Sequence, residues 1–259
     1  METQELASNI NQKPVQLPGF FKLLKESLGI VKERFWIYLG IVVIPIIGIS
    51  TFIVLLAIGT SLLTALFAVS GFKWAFLIIL LMLVAIVVIW PTLAILYVAK
   101  ERNRDVGVFE ALRKTFPKIL PAYWISLLVN LAVSAGFLFL VIPGFIFWVW
   151  FSLATPVLLS ENVRGVKALS RSKELVKGKA WEVFVRLMGL TIIGGLVSFI
   201  TSPLLKSDMV VKNLIAYLML IPTALVLNVF IFLLYEKLRD IRKEDYKEER
   251  IEGETYQGA

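Results

Sequence analysis

The chain has 259 residues, of which 58% are hydrophobic, with a mean hydropathy of +0.83 and a formal net charge of +8. That apolar share lies far above the roughly 45 to 50% of a soluble domain and marks an integral membrane protein. Cysteine and histidine are absent, which excludes disulfides, thiol nucleophiles, zinc sites of the usual nitrogen and sulfur type, histidine-ligated haem and the commonest general base.

About 35 polar or mixed residues precede the first uncharged run, and that run lacks a small-residue cleavage pattern behind a short apolar core. The first span is therefore expected to stay in place rather than leave as a signal peptide. Residues 35 to 72 carry no charge, which is too much for one simple crossing of a hydrocarbon core ~30 Å thick. The Gly59-Thr60-Ser61 cluster suggests that the crossing ends there, with Leu62 to Phe72 as an outer interfacial segment or a helix extension. Further spans are expected over Trp74 to Ala99, Pro121 to Ile142, Gly144 to Ser160, Phe184 to Leu204 and Asn213 to Tyr235. Pro143-Gly144 reads as the turn between the third and fourth.

A thirteen-residue pattern occurs three times, each copy leading into an uncharged stretch: Leu24 to Trp36 (LKESLGIVKERFW), Leu112 to Trp124 (LRKTFPKILPAYW) and Leu169 to Trp181 (LSRSKELVKGKAW). Leu24, Leu112 and Leu169 align; so do Ser27, Thr115 and Ser172, then Val31, Ile119 and Val176, then the three tryptophans. This is an internal repeat. It predicts an all-α, polytopic membrane bundle of six transmembrane helices, in three parallel repeats of an interfacial amphipathic helix plus a transmembrane hairpin. Leu24, Leu28, Val31 and Phe35 share one helical face, with Lys22, Lys25, Lys32 and Glu33 elsewhere. Pro117 interrupts the second copy and predicts a break or kink there. The bland reading of each basic segment is a topogenic signal; the sharper one is a helix lying at the headgroups, with tryptophan at the interface.

Of the 27 Lys and Arg residues, 24 fall in residues 1 to 35, 99 to 120, 161 to 186 and from 236 onward, leaving Lys73, Lys206 and Lys212 on the other side. Positive charge marks the cytoplasmic side, so six spans put both termini in the cytoplasm of a multi-pass cell-membrane protein. The organisation is then a cytoplasmic segment with an amphipathic helix (1 to 34), a membrane domain (35 to 237) and a charged cytoplasmic tail (238 to 259) that extends the last span as a solvated helix.

Ionisable groups at bilayer depth are sparse. Arg186, just inside the fifth span, reads as an interfacial anchor or phosphate contact, or else as a substrate-anion group. Arg171, Lys173, Lys177, Lys179 and Trp181 join it as candidate contacts for anionic lipid headgroups. Ser126, Asn130 and Ser134 recur at intervals of four, and Asn228 lies at a comparable depth on the sixth span. Asn130 and Asn228 are either helix glue, which a bond between them would supply, or the lining of a hydrophilic path. Gly194, Ser198 and Ser202 read as a packing stripe. No phosphate-cradling loop, paired catalytic carboxylates or nucleophile elbow appears, so no catalytic, cofactor or metal residues are expected.

The stretch from Ile142 to Trp181 carries Pro143-Gly144, Pro156, Glu161, Ala168-Leu169, Ser172, Leu175, Gly178 and Trp181. In these positions it resembles the membrane domain found ahead of some prokaryotic glycerophosphoryl diester phosphodiesterases, and the related stand-alone six-span inner-membrane proteins of unknown function. LPGF at residues 17 to 20 and LLYEKLRD at 233 to 240 are similar as well. In the fused members the resemblance assigns hydrolysis to a separate soluble barrel, for which this chain has no room, so it implies no catalytic residue here. The sequence thus points to a noncatalytic protein, without cofactor or nucleic acid, that works as a lipid-associated scaffold or as partner to a protein it does not identify. The alternative is a transporter or channel for a small or lipid-like substrate.

Overall fold

A computed structural model describes residues 17–67, 86, 88–205 and 210–257. The fold is all-α, and no strand occurs among the described residues. Helix α1 spans Phe20–Glu33 and α2 Phe35–Phe67. Helix α3 is Val88–Lys100; α4 is Val108–Thr115, followed by a 3-10 turn at Phe116–Lys118 and α5 at Ile119–Phe139. Then come α6 (Val141–Phe151), α7 (Ala154–Glu161), α8 (Val166–Val176), α9 (Ala180–Leu205) and α10 (Val210–Gln257). Among the described residues four stretches are long and apolar enough to cross a membrane: Val108–Phe139, Val141–Glu161, Ala180–Leu204 and Val211–Tyr246. The expected span from Trp74 to Ala99 lies outside the described residues apart from Ile86 and the turns from Val88 onward. Lys73, Lys206 and Asp208 also lie outside them.

Three local expectations meet their physical cause. Pro117 does interrupt the helix, forcing the 3-10 turn between α4 and α5. At the Gly59-Thr60-Ser61 cluster the chain follows the helix-extension alternative as far as it is described: α2 runs through to Phe67, with the Ser61 hydroxyl donating to the Ala57 carbonyl at 2.8 Å. The hairpin between α5 and α6 turns at Leu140, in extended conformation (φ −161°, ψ 149°), and not at Pro143-Gly144. Pro143 falls in the first turn of α6, where backbone N–H groups have no helical partner and a missing one costs nothing. Gly144 serves close approach instead: a Cβ on it would meet the Phe137 ring at 2.5 Å, and one on Gly136 would meet the Gly144 Cα at 2.9 Å.

The break between α6 and α7 follows from Pro156, which lacks an N–H for the Ser152 carbonyl and crowds it. Ser172 of α8 fills the gap. Its hydroxyl donates to the Trp150 carbonyl at 2.6 Å and accepts from the Leu153 N–H at 3.2 Å. After α7, Asn162 is left-handed at φ 55° and Gly165 takes φ 60°, ψ −139°. The second of these conformations is open in practice only to glycine.

The core lies where the short helices meet the long ones. Leu23 of α1, Tyr38 and Ile41 of α2, Leu93 of α3, Leu175 and Val176 of α8, and Phe230 and Tyr235 of α10 are buried together. At the other end Leu138, Phe139, Leu140, Ile142, Phe199 and Leu218 are exposed, an apolar surface suited to hydrocarbon.

Candidate functional site

The basic end of the bundle collects most of the polar chemistry. The aligned hydroxyls Ser27, Thr115 and Ser172 are all fully buried. Trp36, Trp124 and Trp181, which close the same three windows, are 79%, 53% and 73% exposed. Ser27 and Thr115 spend their hydroxyls inside their own helices, on Leu24 O at 2.8 Å and Ala111 O at 2.8 Å. Ser172 alone of the three bridges other elements. The Leu112 carbonyl, next to Thr115, also accepts from the Trp90 indole at 3.0 Å.

Between α7, α8 and α10 runs a chain of charge-assisted bonds. Glu161, at the end of α7, accepts from Tyr235 (3.0 Å) and pairs with Arg171 Nε (2.9 Å). Arg171 continues to Glu174 at 3.0 Å. Glu174 also accepts from the Tyr246 hydroxyl. The Tyr246 donor, and after it Arg171, hold the Glu174 carboxyl below the ordinary carboxylate range, against the opposing effect of partial burial. Arg242 of α10 caps α8, donating to the carbonyls of Glu174 (2.8 Å) and Lys177 (2.6 Å). A second clamp joins the start of α2 to the loop after α3. Arg34 donates to the carbonyls of Arg104 (2.8 Å) and Arg102 (2.9 Å), and Arg102 pairs with Glu236 of α10 at 2.7 Å.

The candidate lipid contacts divide into two groups. Arg186 is buried, and its five N–H donors are all engaged within the protein: Nε on Pro18 O, Nη1 on the Glu182 carbonyl and carboxylate, and Nη2 on Leu17 O and Pro18 O. Arg171 is likewise spent on Glu161 and Glu174. Lys173 and Lys177 are exposed, and Lys179 is half-buried. The Lys173 ammonium lies 4.0 Å from the centroid of the Trp150 ring. Trp181 stacks on Phe184, ring centroids 5.4 Å apart.

The two amides do not meet. Asn130 donates to Ser126 O and Asn228 to Ala224 O, each at 2.8 Å within its own helix. No hydrogen bond joins them among the described residues. A metal would find no cluster of three acidic ligands there either.

The acidic half of the site, Glu161, Glu174 and Glu236, is absent from the sequence-derived candidates. For Glu161 and Glu236 the signal was the repeated end of two apolar runs, Leu158-Leu159-Ser160-Glu161 and Leu233-Leu234-Tyr235-Glu236: a carboxylate directly after hydrocarbon needs a cation, and each has one. The chain matches no family model, no curated protein and no solved structure.

Proposed function

We propose that this chain is a six-span protein of the cell membrane, built of three parallel units of interfacial helix plus hairpin, with both termini cytoplasmic. In this reading it is a noncatalytic, lipid-associated scaffold or partner for another membrane process. The observation that carries it is the shared orientation of the three windows: each turns its hydroxyl inward and its indole outward. Indoles with lysines beside them at one end of a helical bundle suit the headgroup layer, where an apolar ring with one polar N–H is at home. Supporting the same reading, the guanidiniums and carboxylates at that end are engaged with each other and with backbone carbonyls. Asn130 and Asn228 each bond to a carbonyl four residues back in their own helix, and neither joins two helices as interhelical glue would. The likeness of Ile142 to Trp181 to the membrane domain of the phosphodiesterase family belongs to the same proposal and brings no activity with it.

Native mass spectrometry of the gently solubilised chain tests the reading. Retained anionic phospholipid, with or without a stoichiometric protein partner, is expected. A chain that emerges without either, or one whose reconstituted form passes a solute and loses that flux in a stable Asn130→Leu variant, overturns it. The orientation has its own check, because the sequence has no cysteine and single introduced cysteines report cleanly. Cysteine at Ser170 or Lys243 should resist an impermeant maleimide in intact cells, and cysteine at Lys212 should react.

A further inference from the structure

Between α6 and α9 runs an open groove of about 330 Å3, walled by Phe145, Ile146, Val149 and Trp150 on one side and Trp181 and Phe184 on the other. It starts at the basic end, at Trp150 and Trp181, and follows α6 back to Ile142, a length of ~12 Å at 1.5 Å per helical residue. The Lys173 ammonium lies over the ring of Trp150, which walls that end of the groove. The acids nearest in sequence, Glu174 and Glu182, are already paired with Arg171 and Arg186, and no ion pair engages Lys173 among the described residues. With Lys177 exposed a turn further on, the mouth carries uncompensated positive charge.

A groove elsewhere in the chain acts as an internal control. It has about 430 Å3, lies between Ile86 and Ile89 and the start of α5, and is apolar as well. In the register of the repeat its counterpart of Lys173 is Phe116, which meets Trp90 edge-on with ring centroids 5.6 Å apart. Apolar walls accept any acyl chain. A cation over an indole at headgroup depth selects for a negative headgroup, and of these two grooves the one between α6 and α9 has that pairing at the matching position.

We propose that the α6–α9 groove is a selective site for one anionic phospholipid, with an acyl chain laid along Ile146, Val149 and Phe184 and its phosphate at Lys173. The proposal rests on the lipid-associated reading above and gives it a place. Charge complementarity decides the occupant, since a neutral helix of a partner would leave Lys173 unmatched.

The test uses the full chain in mild detergent with phosphatidylglycerol and phosphatidylcholine in equal parts, counting retained lipids by native mass spectrometry. The wild type is expected to keep phosphatidylglycerol preferentially. Lys173→Gln should lower that retention about five-fold, the worth of one basic side chain at a charged surface. Lys173→Arg should preserve it, because guanidinium keeps both the charge and the ring contact. Ala180→Phe, which fills the groove, should lower it too. If Ala180→Phe misfolds, Lys173→Gln at its exposed position decides alone. Equal phosphatidylglycerol retention in wild type and Lys173→Gln overturns the site and leaves the lipid-associated reading standing. No preference for phosphatidylglycerol in the wild type also overturns the site, and a wild type that emerges with neither phospholipid nor a protein partner overturns the lipid-associated reading as well.

Discussion

Arg186 holds Pro18. Two guanidinium donors reach the Pro18 carbonyl at 2.8 and 3.2 Å, across 168 residues of sequence. The bond fastens the turn before α1 to α9, and it places the Phe20 ring against Gly189, where a Cβ would stand 2.8 Å from the ring edge. Phe20 also lies 5.5 Å from the Phe230 ring of α10. One arginine thus fixes where the first amphipathic helix docks.

Replacing it should free that helix. Arg186→Gln leaves the carbonyls of Leu17 and Pro18 without their donors, and bonds to a charged group are worth ~1.5–3 kcal/mol each before compensation by water. A lower unfolding temperature in detergent is expected, with faster tryptic cleavage after Lys22 and little change in cleavage within the tail. Arg186→Lys should recover only part of the loss, because an ammonium lacks the fork. Uniformly faster cleavage along the whole chain would mean that Arg186 supports the fold at large and does not act as a local fastener.

Ser27, Thr115 and Ser172 predict unequal costs despite equal burial. Ser172→Ala strands the Leu153 N–H and the Trp150 carbonyl at a helix break, and should cost ~1–3 kcal/mol. Ser27→Ala removes a hydroxyl that bonds only within its own helix, and should change stability by less than ~1 kcal/mol. Denaturation of the two variants side by side checks this. Equal losses would remove the bridging role assigned to Ser172.

That contrast shows how far the sequence could be read. The aligned hydroxyls and tryptophans stand out because a buried small polar group and an exposed indole at fixed spacing leave a residue-type signature, and the structure gives each triplet one shared environment. The Leu140 turn was not legible: Pro143-Gly144 is the stronger turn dipeptide, yet proline fits a helix start as well as a loop. Arg186 reads in sequence as an interfacial or phosphate-contacting anchor; its contacts with Leu17 and Pro18 are not legible there, since these are backbone carbonyls, which any residue supplies. The Glu161–Arg171–Glu174 chain, with Tyr235 and Tyr246 at its ends, depends on α7, α8 and α10 meeting, a matter of packing that local pattern does not carry.

The Glu174 carboxyl gives the α8–α10 contact a pH dependence with a definite sign. Its folded pKa is depressed by the Tyr246 hydroxyl and by Arg171. The associated stabilisation is therefore present above the ordinary carboxylate pKa, ~4.3, and is lost as pH falls through the depressed folded value. Acidification from pH 6 to below 4 should loosen the end of α10, seen as faster proteolysis beyond Arg242. In Tyr246→Phe the loosening should begin at higher pH. An unshifted profile in that variant would show that Arg171 alone sets the carboxyl.

The glycines of the membrane helices separate close approach from mere smallness. Gly194, Ser198 and Ser202 read in sequence as a packing stripe; a Cβ on Gly194 would stand 3.2 Å from the Leu227 side chain of α10, whereas Ser198 is exposed and a Cβ on the adjacent Gly195 would meet nothing within 4 Å. Gly136 and Gly144 are the pair that lets two helices touch, because the Cβ of an alanine at 136 would fall 2.9 Å from the Gly144 Cα and the same distance from the Phe147 ring. A ring can rotate away; a backbone atom across a tight hairpin can move only by shifting the helix. Gly136→Ala should therefore cost ~1–3 kcal/mol, the usual penalty for overpacking. Gly195→Ala should be neutral or stabilising by up to ~1 kcal/mol, through helix propensity alone. Thermal unfolding of the two variants in one detergent makes the comparison. If Gly195→Ala proves the more damaging, that face of α9 meets a partner helix, and the stripe marks an interface between molecules.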